Sequence, residues 1–531
     1  MTTVHDATYD LLRDLGMTTV FGNPGSTEEP FLARFPSDFT YVLALQEASA
    51  VGMADGYAQV TGEPAHVNLH TTPGVGNGMG NLATAWHNRT PLIVSSGQQH
   101  RDMLRLEPLL TNRYAQLLPM PYVKWSYEPA RAQDVPAAFM QGYALAQEPP
   151  AGPVYLSIPM DDWEQPADGA PPVRRVSTRI AAEPDRLREF AGALAGARNP
   201  ALVYGGGVDR SGGWDAAVAL AEKLRAPVWE APWAQRVGFP EDHPQYQGVL
   251  PPAIGPVAET LRGHDVVLVV GAPVFRYYPY VPGPYLPEGT RLLHVTDDPD
   301  EASRAPVGDS ILADAALACA ALAEQVPATD RPAPSPQAPP EPARPGTPLS
   351  PDTLFATLAR EWPEDGILVE ESPSNMKTLK QYVRVKRPAS FFTASSAGLG
   401  YALPASVGIA LGERHTGRRR PVIAVIGEGS FQYSIQALYT AAQHRLPVVY
   451  VVPVNEEYGI LKAYAAFEHT PDVPGLDLPG LDVPTIARGY GCQAQRVESA
   501  DAIPDALRAA TTADGPTVLA VPITKKVPAL I

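Results

Sequence analysis

At 531 residues with 45% hydrophobic side chains, the chain is too long for one compact core and long enough for about three domains of common size. Lys and Arg total 41 against 57 for Asp and Glu, and the formal charge of −16 has the wrong sign for a phosphate-backbone binder, which argues against a nucleic acid partner. The opening stretch MTTVHDATYDLLRDLGM has no basic segment followed by an apolar core, and no run approaches the roughly 18 apolar residues of a membrane span, so no membrane partner is expected and the chain reads as cytoplasmic.

From the amino terminus, strands are expected around Thr19 to Phe21, Tyr41 to Leu45, His66 to Leu69 and Leu92 to Ser95, with helices over Glu47 to Val60 and Gly76 to Asn88. A proline-rich seam, QPADGAPPVRRVSTRIAAEPD, begins at Gln165. Beyond it, Ala201 to Tyr204 and Val266 to Val270 read as buried strands, with a helix over Trp214 to Leu224. The second seam, PATDRPAPSPQAPPEPARPGTPLSP, begins at Pro327 and has almost no large apolar residue to bury. The last segment repeats the scheme through Gly366 to Val369, Val422 to Ile426, Val448 to Val452 and Thr517 to Val521. Short apolar strands alternating with longer helices predict three α/β, doubly wound parallel-sheet domains. Their expected extents are residues 1–180, 181–326 and 351–531, with 327–350 as linker. Cys319 and Cys492 stand in apolar or Gly-rich surroundings without a second ligand nearby and read as buried free thiols.

The sharpest local signal is VIAVIGEGSFQYSIQALYTAAQHRLPVVYVVPVNEEYGILKAY, from Val422. An apolar strand runs into Gly427, Glu428, Gly429 and Ser430, and after a helix a second strand ends at Asn455, followed by Tyr458 and Gly459. In a doubly wound sheet, ligands sit beyond the carboxyl ends of strands, where Gly lets backbone N–H groups approach phosphate. Glu428 and Asn455 on adjacent strand ends offer hard oxygen donors suited to magnesium. Taken alone, Gly-acid-Gly-Ser is also a common turn. Glu47 follows an apolar strand and opens a helix, where a carboxylate is either a favourable charge at the helix amino terminus or a partly desolvated acid. Ser26 in FGNPGS and His70 in NLHTTPG occupy Gly-rich strand ends that face a ligand or simply form turns.

The spacing from Gly-Glu-Gly to Asn455 resembles the fingerprint of thiamine-diphosphate enzymes, Gly-Asp-Gly followed about 25 to 30 residues later by Asn. The segments VFGNPGSTEEPFL, LALQEASAVGMADGYAQ, VKWSYEPA, GPVYLS, VVLVVGAPVFRY and GLGYALPA extend the resemblance, in family order, to the benzoylformate decarboxylase-like branch of these enzymes. The resemblance implies a pyrimidine-binding domain, a middle domain and a diphosphate- and magnesium-binding domain. It implies thiamine diphosphate and Mg2+ as cofactors, a small 2-oxo acid as substrate, and a homotetramer with active sites at dimer interfaces. Glu47 would hydrogen-bond the pyrimidine ring, Ser26 would meet the substrate carboxylate, and His70 would assist proton transfer. Asn23, Pro24, Ser374, Ala397, Leu399, Gly429, Ser430, Asn455, Tyr458 and Gly459 would line the cofactor, with Glu428, Asn455 and Glu457 at the metal. Leu110, Ile460, Leu461 and Tyr464 would wall the substrate pocket. The implied reaction is non-oxidative decarboxylation of an aromatic 2-oxo acid, with carboligation as a side reaction.

Four departures accompany these matches. Glu428 stands where the family has Asp, Pro373 replaces a hydroxyl residue, Val454 replaces the first of a paired Asn, and Tyr278 takes the place of a second active-site His. A phenol has a reference pKa near 10 and an imidazole one near 6.5, so Tyr278 exchanges protons less readily at neutrality. An acetolactate-synthase-like carboligase, with a nucleotide at Gly205 to Gly207, and a degenerate cofactor-binding protein are the competing readings.

Overall fold

The computed structural model describes residues 2–169, 171–342 and 346–530. Its strands form three six-stranded sheets, parallel throughout. The first comprises β1 (Thr19–Gly22), β2 (Thr40–Leu43), β3 (Ala65–Leu69), β4 (Leu92–Gln98), β5 (Ser126–Tyr127) and β6 (Val154–Pro159), ordered β2-β1-β3-β4-β6-β5. The second comprises β7 (Pro200–Tyr204), β8 (Val228–Glu230), β9 (Tyr246–Val249), β10 (Val266–Val270), β11 (Arg291–Thr296) and β12 (Asp309–Leu312), ordered β12-β11-β10-β7-β8-β9. The third comprises β13 (Ile367–Glu371), β14 (Phe391–Thr393), β15 (Val422–Ile426), β16 (Val448–Val454), β17 (Gln493–Arg496) and β18 (Thr517–Pro522), ordered β14-β13-β15-β16-β18-β17.

The central strands β7, β10, β13, β15 and β16 are buried at every position, as strands covered by helices on both faces require. The strand order reverses between β1 and β3, between β7 and β10, and between β13 and β15. Connections leave such a point in opposite directions, so their loops part and open a crevice.

Two helices lock the first and third sheets together. Glu47–Thr61 is buried along nearly its whole length against Ala402–His415. A Cβ on Gly408 would collide with the Met53 carbonyl, and one on Gly56 with the Ala405 carbonyl. The helices therefore meet backbone to backbone, which fixes the start of the first helix against the third sheet. Gly62, at φ 79°, ends that helix in the left-handed cap that glycine adopts without strain.

Several element bounds differ from expectation. The strand expected over Tyr41 to Leu45 is Thr40–Leu43, because Leu45 turns to φ 57° and leaves the sheet direction. The helix expected from Gly76 starts at Thr71 and reaches Asn88. In the proline-rich stretch, the Arg331 guanidinium donates to the carbonyls of Arg198 at 3.0 Å, Leu224 at 2.5 Å and Ala197 at 2.7 Å, tacking that stretch to the middle sheet's domain. Cys319 and Cys492 are buried free thiols. Among the described residues, no helix is long and apolar enough to cross a membrane.

Candidate active site

At the β1/β3 crevice, the loop after β1 carries Asn23, Pro24 and Ser26, and β3 leads into His70. Glu47, the first residue of its helix, is buried, and its carboxylate is held from two sides. Asn23 Nδ2 donates to Oε1 at 3.2 Å and Asn77 Nδ2 to Oε2 at 3.1 Å. These donors orient the carboxylate at the site's edge while the helix amino terminus favours its charge.

His70 lies against an acid that the sequence reading missed. Glu28 is fully buried, and its Oε2 is 2.7 Å from His70 Nδ1. Its Oε1 accepts the Gly97 N–H at 2.6 Å and the Thr27 hydroxyl at 2.9 Å. With donors on Oε1, the carboxylate takes the Nδ1 proton of the imidazole, which leaves Nε2 as the working nitrogen. A Cβ on Gly25 would overlap the His70 ring, so only glycine lets the loop bearing Ser26 pass over the histidine. Ser26 is exposed in that loop.

At the other crevice, the loop after β13 carries Ser374, the one after β15 carries Gly427, Glu428, Gly429 and Ser430, and the neighbouring β16 delivers Asn455. Glu428 is buried, and its Oε1 accepts the N–H groups of Asn455 at 2.8 Å and Glu456 at 2.5 Å. Burial pushes its carboxyl above the usual carboxylate range, against the pull of these donors. One terminal atom of the Asn455 amide lies 2.9 Å from Glu428 Oε1 and 2.9 Å from the Glu457 carbonyl oxygen. Filled by nitrogen, that position donates to both. Filled by oxygen, it stands 2.9 Å from each of two further oxygens, close to the spacing of about 2.9 Å between adjacent ligands of an octahedral ion bonded at about 2.0–2.1 Å. This donor set fits a hard divalent cation. The Glu457 carboxylate accepts from Lys462 Nζ through Oε2 at 2.5 Å and keeps Oε1 buried without a hydrogen-bond partner, and the Glu457 main-chain oxygen is the atom beside Asn455. Among the described residues, no cluster of three His, Cys, Asp or Glu side chains forms a metal site, and the Glu428–Asn455 pair depends on an amide and a carbonyl for its remaining donors. Tyr458 packs over Gly429, where a Cβ would meet its ring, and Ser374 Oγ lies beside Gly459.

Ala397, at φ 58°, and Leu399 sit on the loop between β14 and the Ala402–His415 helix. Tyr278, 57% exposed, stacks on Tyr464 with ring centroids 4.8 Å apart and planes at 27°. A residue expected to move protons and one expected to wall the substrate thus form one aromatic surface, beside Ile460 and Leu461 on the Gly459–Phe467 helix. Leu110 is exposed at φ 65° in the segment after β4. Among the described residues, no hydrogen bond joins Glu47, His70 or Ser26 to Glu428, Asn455 or Tyr458. Each crevice thus carries one half-site.

Glu28, Gly25 and Asn77 escaped the sequence reading, as did one further acid, Glu371 at the end of β13. The TEE run offered a signal for Glu28, although a helix start explains such a run equally well.

Comparison with known proteins identifies the family. Three family models of thiamine pyrophosphate (diphosphate) enzymes match in order, the N-terminal TPP-binding domain over residues 2–116, the central domain over 187–322 and the C-terminal TPP-binding domain over 374–521. A benzoylformate decarboxylase of Pseudomonas aeruginosa is 49% identical over 98% of this chain and 99% of its own length. The crystal structure of benzoylformate decarboxylase from Polynucleobacter necessarius superposes with a TM-score of 0.98 at 49% identity, covering 99% of each chain. The thiamine-diphosphate-dependent 4-hydroxybenzoylformate decarboxylase of Rhodococcus jostii RHA1 superposes with a TM-score of 0.95 at 44% identity, covering 98% of this chain and 99% of that one. Acetolactate synthases are more distant, at 27% for the large subunit from Corynebacterium glutamicum over 94% of this chain and 83% of that protein. With three family domains in order and near-half identity along its whole length, the chain belongs to the thiamine diphosphate enzymes, in their benzoylformate decarboxylase branch.

Proposed function

We propose that the chain is a thiamine-diphosphate- and magnesium-dependent decarboxylase of an aromatic 2-oxo acid of the benzoylformate type, releasing an aldehyde and carbon dioxide. The observation that carries this reading is the Glu47 carboxylate, buried at a helix start and aimed by Asn23 and Asn77. Thiamine diphosphate supplies a nucleophilic carbon and an electron sink when bound. The protein's own residues do the rest. Glu47 holds a proton at the pyrimidine ring, and Glu428, the Asn455 amide oxygen and the Glu457 carbonyl hold Mg2+. Ser374, Gly429, Ser430, Tyr458 and Gly459 receive the diphosphate, while Ala397 and Leu399 support the rings. Ser26 binds the substrate carboxylate, and His70, kept in one tautomer by Glu28, presents Nε2 for proton transfer. The Tyr278–Tyr464 stack, with Ile460 and Leu461, provides a flat apolar wall suited to an aromatic ring.

The site is proposed to close between chains, Glu47 facing the partner's diphosphate half-site, in a homodimer that pairs into a homotetramer. The segment after β4 supports this with a run of exposed apolar side chains, Leu106, Leu109, Leu110, Tyr114, Leu117 and Met120, of which Leu109 is 90% exposed. The acetolactate-synthase alternative calls for a nucleotide at Gly205 to Gly207. Two of those glycines serve close packing, since a Cβ on Gly207 would lie 2.6 Å from Gly271 Cα and one on Gly205 2.5 Å from Ala272 Cβ. Carbon dioxide release from a panel of 2-oxo acids, with cofactor and magnesium supplied, tests the reading: aromatic acids should lead, and turnover confined to pyruvate would overturn it. Sedimentation across a dilution series should show activity lost as dimers dissociate, and a fully active monomer would contradict the shared site.

A further inference from the structure

Glu371 ends β13 with its carboxylate buried, one strand away from the Gly427–Ser430 turn. Its oxygens accept three consecutive backbone N–H groups, from Gly400 at 2.5 Å, Tyr401 at 2.8 Å and Ala402 at 2.5 Å. The helix from Ala402 to His415 receives no side-chain bond from its own N-cap residue, Tyr401, so Glu371 supplies the cap from another element. Burial pushes this carboxyl up to about 8, while the three donors and the helix amino terminus all favour its ionised form.

The Gly400 peptide is gripped on its other face as well. Its carbonyl accepts from Ser434 Oγ at 2.7 Å and from Asn81 Nδ2 at 3.2 Å. Asn81 Nδ2 also donates to the Ala48 carbonyl at 2.7 Å, next to Glu47. Gly400 stands at φ 97°, a backbone conformation that L side chains rarely adopt, and a Cβ there would crowd Ser434 and Tyr433. One peptide unit is thereby fixed by a strand of its own sheet, by the turn after β15 and by the helix of the pyrimidine half-site. The residue immediately before it is Leu399.

We infer that Glu371 is a positioning residue for the cofactor: by clamping Gly400 it fixes the height of Leu399 and the direction of the Ala397 carbonyl. This rests on the assignment of Leu399 and Ala397 to the cofactor proposed above. A carboxylate is needed because both oxygens must accept, whereas an amide offers one acceptor and turns N–H groups toward N–H groups.

Glu371→Gln should therefore act at two levels. In the cofactor-free protein, amide hydrogen exchange at Gly400 to Ala402 should quicken at least tenfold. In the protein saturated with thiamine diphosphate and magnesium, exchange of the cofactor C2 proton, followed by NMR, should slow at least tenfold. Leu399→Ala should slow it comparably, and the double variant should be no slower than the worse single one. Faster amide exchange with unchanged C2 exchange would reduce Glu371 to a helix cap and overturn the inference. If Glu371→Gln does not fold, Ser434→Ala, which releases the same peptide from its other face, should slow C2 exchange several-fold, and no change there would also overturn it. Failure of the underlying reading is separable, because the unaltered protein would then neither bind thiamine diphosphate nor accelerate its C2 exchange over the free cofactor.

Discussion

Replacing Glu28 by Gln separates the chemistry of His70 from that of the cofactor. The change is nearly isosteric, but the buried carboxylate now accepts from the Gly97 N–H, the Thr27 hydroxyl and His70 Nδ1, all within 2.9 Å. An amide retains one acceptor oxygen, so either Gly97 N–H or the imidazole loses its partner. A hydrogen bond to a charged group contributes about 1.5–3 kcal/mol, and about 1.4 kcal/mol corresponds to tenfold in rate. If that loss falls on the tautomer and orientation of His70, kcat/KM for an aromatic 2-oxo acid should fall about 10- to 100-fold. Steady-state decarboxylation and C2 proton exchange of bound cofactor are measured on the same preparation, with circular dichroism as the check on folding. C2 exchange should be unchanged, because Glu28 bonds His70, Thr27 and Gly97, whereas Glu47 is held by Asn23 and Asn77. An unaltered kcat/KM, or an equal loss in C2 exchange, would refute the assignment of Glu28 as the residue that orients His70.

Glu47→Ala should give the converse result, a folded protein whose bound cofactor loses about 100-fold or more in C2 exchange, within the usual range for a positioned acid or base; unchanged exchange by NMR would remove its role. Thorough chelation should abolish tight cofactor binding in calorimetry, added magnesium should restore it, and Asn455→Ala should weaken it with the fold intact; equal binding with and without the ion would remove the proposed oxygen cage. Asp55, on the Glu47 helix, is pushed up to about 6 by burial despite bonds from Gln59, Asn88 and Thr90. Its folded value lies above the unfolded one, so its contribution to stability is present in acid and is lost as pH rises through about 6. Asp55→Asn should flatten the melting temperature against pH between 4 and 7, and an unchanged slope would assign that dependence elsewhere.

The diphosphate half-site was legible because its strands are buried on both faces. β15 and β16 are continuous apolar runs, and the glycines and acid that follow can only lie at their ends. The edge strands β5 and β17 were not legible, since Ser126–Tyr127 and Gln493–Arg496 are short, partly exposed and without alternation. The partner of His70 was hidden for another reason. Glu28 lies 42 residues away and becomes its neighbour only because β1 and β3 are adjacent in the sheet. The clamp on Gly400 likewise needs β13, the turn after β15 and the Thr71–Asn88 helix to converge, and no local spacing encodes that. Motifs within one loop are readable, whereas the residues that aim them arrive through topology.

Tyr278 is where sequence and geometry together make the most discriminating test. By the family resemblance a phenol stands in the place of a second histidine, and its ring stacks on Tyr464 at the mouth of the proposed substrate pocket. After carbon dioxide leaves, the carbon it leaves behind must take up a proton before aldehyde is released. An imidazole exchanges protons near neutrality and a phenol does not. Slow delivery gives that carbon time to meet a second aldehyde, so the natural tyrosine should favour carboligation relative to a histidine at the same place. Tyr278→His should speed aldehyde release, lower the acyloin share and introduce an ionisation near neutral pH. Tyr278→Phe keeps the stacked ring and removes only the hydroxyl, so it should match the natural protein if the ring serves as wall alone, and lose rate if the hydroxyl takes part in the proton path. Aldehyde release, acyloin yield and the pH profile on an aromatic 2-oxo acid decide among these outcomes. If the histidine variant changes none of the three, position 278 lies outside the proton path, and the stack with Tyr464 shapes the pocket without touching the chemistry.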